Sequence, residues 1–275
     1  MPRKQLKGRP SAEEASLTDN AILALLSEGE LTAVRTDGEL VEFALRQPVY
    51  RPDAPIDAAY FPIDCVLSVV TRMEDGSLIE VGTIGREGTT AIPLIMGAET
   101  TANDSFCQVE GRAWKMPARS FVALLNSSAD FRRAMNRYLQ AYVNMLGQMA
   151  ACNGLHSVLE RCARWLLMTQ DRVNRAEFPM THEFLAAMLG SRRSGVTAGA
   201  ATLQGAGYIH YAHGKISVLD RAGLEATACE CYGVAQDQFN SLMELRATAL
   251  TGRESAPTAY TKRPTTRPSV AKRKP

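Results

Sequence analysis

No stretch of the 275-residue chain approaches the roughly 18–20 consecutive apolar residues that cross a bilayer. The first 20 residues are polar and basic and lack the apolar core of a signal peptide. These absences predict no membrane partner and a cytoplasmic location. No Gly-rich phosphate loop, G-x-S-x-G elbow or H-E-x-x-H pair occurs. The four histidines, His156, His182, His210 and His213, lie on or around helical and hairpin segments rather than beside an obvious nucleophile. The expectation is therefore a non-enzyme with no catalytic residue. Cysteine is sparse and scattered, at Cys65, Cys107, Cys152, Cys162, Cys229 and Cys231, which favours reduced thiols over a disulfide framework. The one close pair, Cys229-Glu-Cys231, has no second pair at metal-ligand spacing, and an iron–sulfur cluster needs more thiolates. A structural role near the end of the fold is the preferred reading, with no metal and no cofactor expected.

What is present is 45% hydrophobic and 22% charged residues, the balance of a globular protein, with a net charge of only +2. The charge is unevenly placed. Residues 253–275 set seven Lys and Arg against Glu254 alone, a composition that cannot bury a core and is expected to be disordered. The segment bearing Arg3, Lys4, Lys7 and Arg9 reads the same way.

The most informative stretch is Thr181–Leu219. Thr181 is placed to cap a short helix whose buried face is Phe184, Leu185 and Met188, and Gly190 ends it. Ser191 is then placed to cap a second helix over 191–204. Val196, Ala200 and Leu203 point inward there, and Arg192, Arg193, Ser194 and Thr197 point outward. Gly195 and Gly199 each cost that helix about 1 kcal/mol relative to Ala, but permit close approach of the first helix or of DNA. Two alternating segments around Ala212-His213-Gly214-Lys215 make a hairpin, with His213 and Lys215 at its tip. This is the pattern of a winged helix-turn-helix. Arginine can pair with guanine O6 and N7 in the major groove, and Ser, Thr, His and Lys can reach bases or phosphates. The DNA-contacting set is therefore Thr181, Ser191, Arg192, Arg193, Ser194, Thr197, His213 and Lys215.

Upstream, residues 19–34 suggest one or two short amphipathic helices. Strand-like runs then recur at 40–45, 48–50, 59–63, 66–73, 78–84, 105–109 and 113–116, with a turn at Glu74-Asp75-Gly76-Ser77. That spacing predicts a small β-sandwich or barrel. Helical periodicity begins at Met116-Pro117 and lasts to about Val173. Within it Phe131, Met135, Tyr138, Tyr142, Met145, Met149 and Cys152 form a heptad-like stripe, read as a parallel homodimer seam, and Asn153-Gly154 breaks the helix.

With those residues in place, the chain resembles the Crp/Fnr family of bacterial transcription regulators over about residues 20–235. Thr181, Gly190, Arg193, Val196, Leu203, Ile209, His213, Gly214 and Lys215 align without gaps with the family's helix-turn-helix motif. The run from Leu189-Gly190 through Asp220-Arg221 to Cys229-Glu-Cys231-Tyr232 also looks like a subgroup common in Gram-negative bacteria. The resemblance implies an α+β fold. Its parts are a basic N-terminal segment (1–18), a jelly-roll-like, cyclic-nucleotide-binding-type β-roll (19–128) and a dimerisation helix (129–153). A winged helix (154–235) and a helix end with a basic tail (236–275) complete it. It implies a homodimer that binds double-stranded DNA with helix 191–204 in the major groove, and RNA polymerase as a further partner.

Two departures matter. The family's recognition helix often shows Arg-Glu and, four residues later, Arg, whereas Arg193 is followed by Ser194 and Ala198. The candidate effector pocket, Gly85-Arg86-Glu87-Gly88 with Thr101-Ala102, lacks the arginine of nucleotide-binding members, so a buried phosphodiester would have no charge-assisted partner. Control by cyclic AMP is not expected. The alternative reading is a small-molecule receptor in which a ligand of the β-roll switches DNA binding.

Overall fold

The computed structural model describes residues 16–240; the terminal basic segments lie outside the described residues. The 1–18 boundary falls inside a folded turn, because Ser16 caps a 3₁₀ turn at Leu17–Asp19 and Leu17 is buried. A second 3₁₀ turn, Leu23–Leu25, leads to α1 (Glu28–Asp37), which starts at a Ser27/Glu30 capping box. Buried Asn20 anchors this entry. Its amide donates to the Pro62 and Gly88 carbonyls while its oxygen accepts from the Ile22 and Leu23 backbones.

Seven strands follow: β1 (Glu39–Phe43), β2 (Pro48–Tyr50), β3 (Ala58–Pro62), β4 (Val66–Arg72), β5 (Leu78–Ile84), β6 (Asp104–Val109) and β7 (Gly111–Pro117). The short α2 (Ile92–Ile95) lies between β5 and β6. They form two antiparallel sheets, ordered β1-β7-β3 and β2-β6-β4-β5, and bury Phe61, Leu67, Val109 and Met116. The β4–β5 hairpin turns at Gly76, whose φ of 82° suits glycine.

Three helices come next: α3 (Ala118–Ser127), α4 (Ala129–Leu155) and α5 (Val158–Val173). The heptad-like stripe of α4 is not a dimer seam. Phe131, Met135, Tyr138, Tyr142, Met145, Met149 and Cys152 are all buried within the single chain. The Tyr138 hydroxyl donates to the Thr89 carbonyl at 3.0 Å. The Phe131 ring meets Phe121 edge-on at 5.4 Å, and Tyr142 covers Gly82 so closely that a Cβ there would meet its hydroxyl. A single apolar stripe cannot tell an internal partner from a second subunit; here α2, α3, β5 and, at Cys152, the segment after α8 cover it. Nor does Asn153-Gly154 break α4, which continues to Leu155 before Ser157 caps α5.

α5 is the hub. It is enclosed all round from Arg161 to Thr169, with the β-roll on one side and the C-terminal elements on the other. Those are β8 (Glu177–Pro179), α6 (His182–Met188), α7 (Arg193–Gly205), β9 (Ile209–Ala212), β10 (Lys215–Val218) and α8 (Arg221–Thr227). A further helix, α9, occupies residues 231–240 of the described chain.

Candidate nucleic-acid interface

α6 starts where Thr181 Oγ1 accepts the Phe184 N–H at 3.1 Å, as its side chain predicts, and Gly190 stops it at a φ of 54°. Ser191 does not cap α7. Its hydroxyl turns back to the Leu189 carbonyl, and Arg192 takes the N-cap position without a side-chain bond. The early N–H groups of α7 therefore have no side-chain acceptor. Gly199 does face a close neighbour, but that neighbour is α5: a Cβ there would lie 3.7 Å from Leu159 Cα. With Val196, Ala200 and Leu203 buried behind it, the helix presents Arg192, Arg193, Ser194 and Thr197 to solvent on one face.

The hairpin closes through His213 and Gly214, with φ of 51° and 75°, the two left-handed residues of a type I′ turn. β8, too short to show a period, pairs with β10 as the third strand of the order β8-β10-β9. His213 is exposed at the tip. Lys215 is already engaged, donating to Glu177 Oε1 at 2.8 Å, and Ser217 donates to the other carboxylate oxygen; the lysine holds the Glu177 carboxyl below its usual range.

His182, read from sequence only as a helix start, links these parts. Its ring stacks on Tyr211 at 4.2 Å, and Nδ1 lies 3.2 Å from Thr197 Oγ1. Burial, then the nearby Arg193 charge, lower its pKa. A ring kept neutral can orient Thr197 without repelling Arg193. No local pattern signals this, since the partners are 15 residues apart or further in sequence.

The candidate effector residues divide. Glu87 Oε1 accepts from the Gly85 N–H at 3.1 Å and from Arg172 Nε at 2.8 Å. The Arg172 side chain also lies where a Cβ on Gly85 would stand. Arg86 and Glu87 line two cavities of about 180 and 260 Å³, neither of which includes Thr101 or Ala102. Thr101 instead binds the Asp53 N–H through its carbonyl, and Ala102 is exposed. The structure thus does not gather the six residues into one pocket. It does gather Cys229 and Cys231 with Cys152 and His156, partners that sequence spacing could not show.

Residues 160–227 match the Crp-like helix-turn-helix domain. No curated protein matches the chain in sequence. Among solved structures, it is similar to a putative Crp/Fnr-family transcriptional regulator from Eubacterium rectale, with 17% identity, a TM-score of 0.60 and coverage of 76% of this chain and 98% of that one. It is similar to FixK2 from Bradyrhizobium japonicum, with 12% identity, a TM-score of 0.60 and coverage of 70% and 98%. A Crp/Fnr-family regulator from Thermus thermophilus is 22% identical, with a TM-score of 0.57 and coverage of 69% and 98%. The chain thus carries a Crp-like helix-turn-helix domain on the fold of the Crp/Fnr transcriptional regulators.

Proposed function

We propose that this chain is a homodimeric, sequence-specific transcription regulator that reads DNA with α7 in the major groove. The outward face of α7 carries the reading: Arg192, Arg193, Ser194 and Thr197 project from a helix whose other face is fixed on α5 and α6. Arg193 reads a guanine edge. The uncapped helix start and His213 accept phosphates, and Lys215 does so when Glu177 releases it.

The dimer uses the other face of α4. Asn136, Gln140, Val143, Gly147, Ala150 and Gly154 are exposed at the same four-and-three spacing as the buried stripe. Small residues there let two backbones approach closely. A two-fold dimer implies half-sites about one helical turn apart, and bound in this way the protein would meet RNA polymerase as a further partner. Control is not by cyclic AMP. The glutamate that resembles the nucleotide-binding position is held by Arg172, and the cavities beside it are smaller than the roughly 300–1,000 Å³ of small-ligand pockets.

Selection of bound fragments from random duplex DNA tests the reading. A two-fold site is expected, and Arg193→Ala should lose about 1–3 kcal/mol at one base pair per half-site. An Arg193→Ala variant that binds the selected site as tightly as the parent overturns the assigned face. The second reading, a ligand-switched receptor, is supported by the place of the Arg86–Glu87 turn against Arg172 of α5, between roll and winged helix. Calorimetry with cyclic nucleotides separates the two: tight, specific heats favour the receptor.

A further inference from the structure

Four side chains from distant parts of the chain converge at the C-terminal end of α4. Cys152 Sγ lies 3.5 Å from Cys229 Sγ, and Cys231 Sγ lies 3.6 Å from His156 Nδ1. All four donor atoms fall within 4.8 Å of one another. The three cysteines are free and buried, and the His156 side chain is 12% exposed. Cys152 and His156 stand one helical turn apart at the end of α4, so both face the same way. Cys229 comes from the short connection between α8 and α9, and Cys231 opens α9.

We propose that Cys152, His156, Cys229 and Cys231 form a closed Cys₃His site for one thiophilic divalent cation, Zn²⁺ by preference. The ion would tie the end of α4 to the segment that follows the winged helix. A tetrahedral ion with metal–sulfur bonds of about 2.3 Å and a metal–nitrogen bond of about 2.0–2.1 Å sets neighbouring donors roughly 3.5–3.8 Å apart. The two close pairs already have that separation. An iron–sulfur cluster interposes several atoms between its thiolates and needs them further apart. Hard cations prefer oxygen donors.

The surroundings complete the site. Glu230 Oε2 lies 3.1 Å from His156 Nε2, so a carboxylate holds the proton on that nitrogen and leaves the Nδ1 lone pair facing the cysteines. Gln148 Nε2 donates to Cys231 Sγ at 3.0 Å. The charges of Arg164 and Arg161 act on Cys152. Three thiolates around a dication leave one net negative charge, which these arginines offset. Binding sends the remaining thiol protons to solvent. The proposal does not rest on the DNA reading.

The test uses the full chain purified under reducing conditions without chelator, with elemental analysis of bound metal. About one Zn²⁺ per chain is expected. Cys152→Ser, Cys229→Ser and His156→Ala should each drop to below about one-tenth of that stoichiometry. His156→Cys keeps four donors and should retain the ion, as should Cys162→Ser, which alters a buried cysteine outside the site. Co²⁺ titration of the unaltered chain gives a readout that no variant's folding can confuse. It should show the visible bands of tetrahedral ligation with sulfur-to-cobalt charge transfer. A folded chain that binds neither ion overturns the proposal. So does iron accompanied by acid-labile sulfide, or full zinc content in Cys229→Ser.

Discussion

The indole N–H of Trp165 donates to Glu80 Oε1 at 2.9 Å, joining the middle of α5 to strand β5. Ser68 Oγ lies 2.8 Å from the other carboxylate oxygen. Burial pushes the Glu80 carboxyl up to about 7, against the lowering effect of these hydrogen bonds and of Arg172 and Arg164. The folded chain therefore holds this proton over a range where the unfolded chain has lost it. Stability from this group is full below about pH 4.5 and is lost as the pH rises to about 7, a loss of about 3 kcal/mol. Glu80→Gln keeps an acceptor for Trp165 and a donor for Ser68 but does not titrate. Urea unfolding at a series of pH values should show its advantage over the parent growing across that window and flat above it.

The Arg172–Glu87 pair joins the β-roll turn to α5 with side chains only 5% and 13% exposed. Arg172→Met alone leaves a buried carboxylate and should cost about 3–5 kcal/mol, whereas Arg172→Met with Glu87→Leu should recover most of that. Chemical denaturation of both variants checks the sign and the coupling.

The two faces of α4 should respond in opposite ways. Met145 is buried against its own domain, so Met145→Ala should lower stability by about 2–5 kcal/mol without changing subunit number. Val143 is 52% exposed. Val143→Glu should leave the monomer folded and weaken self-association, read by sedimentation.

Gly199 meets α5 at ordinary contact distance. Gly199→Ala therefore gains helix propensity of up to about 1 kcal/mol without a clash, and melting temperature should rise. Gly199→Leu has no such room and should lower it.

Glu177 holds Lys215 at the wing and adds a negative charge beside the expected phosphates. Glu177→Gln should tighten binding to any duplex and steepen the salt dependence by about one phosphate contact. Affinity measured against salt concentration on specific and random DNA checks this.

Much of the candidate interface was legible because it is local. Thr181, Gly190 and the outward positions of α7 follow from capping chemistry and a 3.6-residue period within 25 residues of chain. The Ser191 cap was not, because the turn after Gly190 shifts the helix start by one residue and Arg192 takes that place. The α4 stripe showed that a face is buried but not what buries it.

What the sequence by itself determined, then, is the order of elements and the winged helix, since hydrophobic period, capping residues and glycine turns act between near neighbours. The tertiary structure alone decided three matters. α4 turns its apolar stripe onto its own β-roll; Arg172, 85 residues away, claims Glu87; and Cys152 meets Cys229 across 77 residues. Each joins groups that no local spacing relates, and only the packing of α4 and α5 brings them within reach.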